Sequence, residues 1–142
     1  MRKMENILHM QYIVCLLLLI VSLNAHSGEN YICEIKGAFQ IDQDGKQITT
    51  KLKEFIGNSF SVNRATGEMS GALINSFASG PTVVNPGSED SSFQAVNSMI
   101  NPVTSATNFN NIVIQEFVSG KNKPFIYMVD GVDIFYGKCM HQ

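Results

Sequence analysis

Tryptophan is absent from this chain, and histidine and cysteine occur only three times each. Without tryptophan the chain lacks a favoured anchor of large interfaces. The histidines are His9, His26 and His141, near the ends of the chain. Nucleophilic catalysis by a Ser-His or Cys-His pair needs a base held rigidly beside its nucleophile. A histidine at a chain end is a poor base for that purpose. No G-x-S-x-G elbow, H-E-x-x-H helix or phosphate loop occurs either. The sequence therefore points to no catalytic residue, no cofactor and no metal site.

Basic charge is missing from the middle of the chain. Between Arg64 and Lys121 the only charged residues are Glu68, Glu89, Asp90 and Glu116. Nucleic acid rewards clustered Lys and Arg, so a nucleic-acid partner is not expected. Long apolar runs are missing too, with one exception at the start. Arg2 and Lys3 precede the apolar residues 13–23, and Leu23-Asn24-Ala25 then offers a small residue for cleavage. Charge, apolar run and small residue in that order describe a secretory signal peptide over residues 1–25. The run is shorter than the ~20 residues a membrane span requires. Cleavage after Ala25 would leave no stable span and one exported domain, residues 26–142, periplasmic or secreted. Eight Lys and Arg would remain against eleven Asp and Glu. No N-x-Ser/Thr acceptor occurs among thirteen asparagines, which fits a bacterial exported protein.

Removing the leader removes Cys15 and leaves Cys33 and Cys139. In an oxidising compartment such a pair is read as a disulfide, here joining the first strand to the last. Closing a loop of that length is worth roughly 4–5 kcal/mol on the chain-entropy model.

Short alternating segments separated by turn signals dominate the rest. Residues 31–35 and 59–63 alternate apolar and polar. Asp44-Gly45, Ala65-Thr66-Gly67 and Asp130-Gly131 mark hairpin turns, and Asn85-Pro86-Gly87 reads as another turn. Residues 112–118 and 125–129 are strand-rich, and 92–100 are assigned to a strand although Phe93, Val96 and Ile100 also suit a helix. Ile48, Leu52, Phe55 and Ile56 form a helical stripe ended by Gly57-Asn58. The expected fold is all-β, a mainly antiparallel small barrel or sandwich, with one short helix.

Several local patterns suggest chemistry. Asp42-Gln43-Asp44-Gly45 contains part of a calcium loop, but Gln40 and Lys51 stand where carboxylates belong, so a plain turn is expected. His26, Met140 and His141 could meet as copper ligands if the termini converge. Glycoside cleavage would need a carboxylate pair drawn from Glu34, Glu68, Glu116, Asp130 and Asp133. Residues 81–109 form a neutral stretch, and Asn85, Ser88, Glu89 and Asp90 within it make a candidate binding loop. These features favour a non-enzymatic binding or inhibitor-type protein. Its partner would be an envelope or extracellular protein, or a small ligand. The alternatives are a cell-envelope hydrolase using a carboxylate pair, and a structural or assembly subunit.

Overall fold

The computed structural model describes residues 30–49, 51–75, 79–101 and 103–142. The expected leader, Cys15 and His26 lie outside them. Among the described residues no helix is long and apolar enough to cross a membrane.

Among the described residues, nine strands form one curled antiparallel sheet, a half-barrel. They are β1 (Tyr31–Ile41), β2 (Gln47–Ile48), β3 (Ser59–Val62), β4 (Met69–Gly71), β5 (Thr82–Ser88), β6 (Ser91–Ile100), β7 (Thr107–Ile114), β8 (Lys123–Val129) and β9 (Asp133–His141). The spatial order is β4-β3-β1-β9-β8-β7-β6-β5, with β2 paired to the end of β1. Sequence neighbours pair as hairpins from β5 to β9, and β9 then closes against β1. Three turns occur where the sequence places them. At the last, Asp130 and Gly131 both take positive φ (51° and 73°), as a two-residue hairpin turn requires. At the first, the Asp42 carboxylate accepts the N–H groups of Asp44 and Lys46. Backbone donors satisfy it, as in an ordinary turn.

Cys33 and Cys139 are directly opposite one another in the β1–β9 ladder and are joined by a disulfide. Next to it, β1 carries a bulge at Lys36, between the Ile35↔Gly137 and Gly37↔Tyr136 pairs. One extra residue reverses the alternation of the strand. Tyr31, Cys33 and Ile35 face the core before the bulge and Ala38 after it. Phe39 consequently shares the outer face with Tyr136, their rings 6.3 Å apart.

The concave side holds the core. Phe60 and Phe125 meet edge-on at 5.2 Å, and Val62, Phe93, Ile112, Ile114, Tyr127 and Phe135 fill the remainder. Side-chain hydrogen bonds tie the segment after β4 to the sheet. Buried Asn75 accepts the Met69 N–H and donates to the Gly67 carbonyl. Asn97 donates to the Asn75 carbonyl, and the Tyr127 hydroxyl to that of Ile74. These bonds supply backbone partners where no further strand does.

Three expectations change in detail. The helix shrinks to a single 3-10 turn, Lys53–Phe55. Ile48 is taken into β2 and Ile56 is exposed, so only Leu52 and Phe55 of the stripe find packing. A short helix with half its apolar face unburied has little to offset its nucleation cost. The neutral stretch 81–109, expected to hold a strand only at 92–100, carries β5, β6 and the first three residues of β7. Asn85-Pro86-Gly87 lies inside β5 as an irregularity rather than a chain reversal. Finally, β7 stops at Ile114, and Glu116 leaves the ladder to meet a partner described next.

Candidate functional site

The candidate loop is a tight hairpin end. Asn85 and Ser88 belong to β5, and exposed Glu89 and Asp90 form the two-residue connection into β6, with Ser88 opposite Ser91. Short polar contacts fix its shape. The Asn85 side chain accepts the Gly87 N–H at 2.9 Å, and the Ser88 and Ser91 hydroxyls lie 2.9 Å apart. The Ser88 hydroxyl also accepts the Asp90 N–H at 3.2 Å. The result is a rigid arm with two adjacent carboxylates at its tip.

Arg64, in the β3–β4 turn, fastens that arm. Its guanidinium donates Nε to the Pro86 carbonyl and Nη2 to the Gly87 carbonyl, each at 3.0 Å. The same group stands over the Tyr31 ring, 5.9 Å from its centroid, within cation–π range. Gly87 is required for the close approach of the arm to Glu116 and Phe93. It has φ +75°, and a Cβ there would lie 2.8 Å from Glu116 Cγ and 2.9 Å from the Phe93 nitrogen.

Beneath the arm is an ionic cluster. Glu116 Oε2 is 3.0 Å from His141 Nε2 and 4.0 Å from Lys123 Nζ. Lys123 also donates to the Glu116 and Val118 carbonyls at 2.8 and 2.7 Å. His141 packs on Tyr31 at 5.0 Å, and Tyr31 on Phe93 at 5.3 Å. Glu116 is only 8% exposed, and the Lys123 ammonium and the hydrogen bond with the His141 ring offset the desolvation of its carboxylate. Glu116 could orient the His141 imidazole for proton transfer. Acyl transfer would additionally need a nucleophile, and both described cysteines are committed to the disulfide.

On the other side of the β3–β4 turn lies a shallow polar pocket of about 200 Å³, lined by Asn30, Ser61, Asn63, Glu68 and Ser70. The Ser61 and Ser70 hydroxyls are 2.7 Å apart, and Asn63 Oδ1 accepts the N–H groups of Ala65 and Thr66. Asn30 Oδ1 is buried without a hydrogen-bond partner. Amides, hydroxyls and one carboxylate suit a small ligand rich in hydrogen-bond donors.

The remaining carboxylates are scattered. Glu34 pairs with Lys36 on the outer face. Asp130 accepts the Phe109 N–H at its turn, and Asp133 accepts from the Gln40 side chain. Met140 and His141, adjacent in β9, point to opposite faces of the sheet, which separates two of the three proposed copper ligands; the third, His26, lies outside the described residues. Among the described residues no three His, Cys, Asp or Glu side chains are grouped to hold a metal.

Sequence reading missed Arg64, Lys123 and the placement of His141. One signal was present. Once Cys33 opposes Cys139, antiparallel register two residues on puts Tyr31 opposite His141. The terminal histidine is thereby held in a strand and not left at a loose end.

No family model, curated protein or solved structure matches this chain. Its class rests on its own architecture: a small β half-barrel domain with one disulfide between its first and last strands.

Proposed function

We propose that this protein is an exported, non-enzymatic binding protein whose recognition surface is the β5–β6 hairpin tip. Support comes chiefly from the Arg64 clamp, which holds the arm against the Glu116–His141–Lys123 cluster. A rigid tip loses little conformational entropy when a partner binds. The adjacent Glu89 and Asp90 carboxylates fit a partner presenting basic side chains, an envelope or extracellular protein. Export is supported by the leader pattern and by the disulfide, which is a feature of oxidising compartments.

The hydrolase reading fits less well. Two carboxylates would have to face each other across a cleft, whereas Glu34 lies on the outer face of β1 and Glu116 is buried under Gly87.

The test is capture from envelope extract by the wild-type chain, by Glu89→Gln/Asp90→Asn, and by Glu34→Gln as a control. A partner lost only from the tip variant supports the reading. Equal recovery by all three chains, or none by the wild type, overturns it.

A further inference from the structure

The pocket beside the β3–β4 turn is lined by polar residues throughout. Asn30 precedes β1, Ser61 and Ser70 are opposite one another in the β3–β4 ladder, and Asn63 and Glu68 flank the turn between those strands. Strand alternation sets their direction. Ser61 lies between buried Phe60 and Val62, and Ser70 follows buried Met69, so both hydroxyls emerge on the face away from the core. Existing hydrogen bonds decide what the lining has left to offer. Asn63 Oδ1 already accepts the Ala65 and Thr66 N–H groups, which leaves the NH2 of its amide as donor. The two serine hydroxyls share one bond at 2.7 Å and keep lone pairs on both oxygens. Asn30 Oδ1 is buried without a hydrogen-bond partner, a costly state for an amide oxygen. A small turn of that amide toward the pocket would give it a donor from a bound molecule.

We propose that this pocket binds a small hydroxylated primary ammonium compound, with Glu68 facing the ammonium and the serine and asparagine side chains facing the hydroxyls. Charge selects the ammonium. Among the described residues of the lining, Glu68 alone is charged. Arg64, in the same turn, commits its guanidinium to the Pro86 and Gly87 carbonyls on the other side. An N–H bond from a cation to a carboxylate is roughly twice as strong as a neutral one, so an amine outcompetes the matching neutral polyol, and an anion is repelled. The mixed donors and acceptors select hydroxyls, since an apolar molecule would desolvate them without returning a hydrogen bond. Size sets the limit. The cavity of about 200 Å³ is below the ~300–1,000 Å³ of drug-sized sites, which suits a molecule no larger than one sugar ring. The site is separated from the β5–β6 tip by the β3–β4 turn, and it does not depend on recognition at that tip.

Titration of the purified, oxidised chain with glucosamine in mildly acidic buffer, followed by the backbone amide resonances of residues 61–70, tests this. Glucose serves as the neutral counterpart and glucuronate as the anionic one. Glucosamine should shift those resonances saturably, and glucose and glucuronate should bind at least about tenfold more weakly, as loss of a charge-assisted bond implies. Glu68→Gln should remove the preference for the amine, and Ser61→Ala/Ser70→Ala should weaken all binding severalfold. Circular dichroism establishes that each variant is folded. Should Glu68→Gln fail to fold, Glu68→Asp, which keeps the charge, should still prefer the amine. Glu89→Gln/Asp90→Asn should bind glucosamine as the wild type does, which separates this site from the hairpin tip. A wild-type chain that does not bind glucosamine overturns the proposal. So does equal affinity for glucose, or a preference for the amine that folded Glu68→Gln retains.

Discussion

Glu116 and His141 are 25 residues apart in sequence and 3.0 Å apart in space, joined through Oε2 and Nε2. The bond links the segment after β7 to the last strand, directly below the arm that Arg64 holds. Glu116→Gln keeps the shape of the side chain and removes the charge facing Lys123 and His141. This should cost about 1–3 kcal/mol, the usual effect of leaving buried polar partners poorly matched. Urea denaturation of the two proteins would measure it, and an unchanged midpoint would contradict the role given to the cluster.

Gly37 and Gly137 both sit at the β1 bulge, yet they should respond differently to alanine. At Gly137 a Cβ would lie 2.0 Å from the Glu34 carbonyl oxygen and 2.9 Å from the Lys36 nitrogen. Backbone cannot step aside without breaking the ladder, so Gly137→Ala should cost about 3 kcal/mol or more. At Gly37 the obstruction is the end of the Tyr136 side chain, which can swing into solvent. Gly37→Ala should cost about 1–2 kcal/mol. Thermal melts of both variants test the order, and equal losses would refute it.

Tyr127 introduces an alkaline dependence. Burial raises its hydroxyl well above the ordinary value near 10, and the nearby Asp130 charge adds to the rise. A raised value in the folded state means the unfolded chain releases the proton first. The contribution is therefore intact below about pH 10 and lost as pH climbs toward the folded value, at up to about 1.4 kcal/mol per unit. Tyr127→Phe should flatten that alkaline limb. It should also cost about 1 kcal/mol at neutral pH, since the bond to the Ile74 carbonyl disappears. Denaturation series at pH 8, 10 and 11 would show both effects.

Replacing Cys33 and Cys139 together by alanine should lower stability by about 2–5 kcal/mol. The buried pair closes a separation of 106 residues. Adding reductant under mildly denaturing conditions should reproduce the loss in the wild type and have no effect on the variant. A reductant-insensitive wild type would remove the disulfide from the stability argument.

The hairpin turns, the all-β class and the clasp between first and last strands were legible because each depends on local chemistry or on cysteine count. Asp130-Gly131 favours a two-residue turn because both residues accept the positive φ it requires. Asn85-Pro86-Gly87 misleads for the same reason. It has turn composition, but pairing with β6 and the Arg64 clamp keep it in a strand. The stripe at Ile48 and Ile56 misled because periodicity alone does not show whether a surface exists to bury it. Arg64 could not have been found locally, since its partners Pro86 and Gly87 lie on β5, more than twenty residues away, whereas Lys123 meets Glu116 and Val118 within the β7–β8 connection. The outer-face contact between Phe39 and Tyr136 depends on the bulge at Lys36, which re-aims Phe39. No residue type signals that bulge in advance.

The two ends of the strand order have a consequence for how far assembly can proceed. One edge is β4, only three residues long, and the other is β5, which carries Pro86 in mid-strand and has Arg64 bonded to its Pro86 and Gly87 carbonyls. A short strand, a proline and occupied carbonyls each deny an incoming chain the continuous ladder it would need. Among the described residues, strand addition is thus disfavoured at both borders of the sheet.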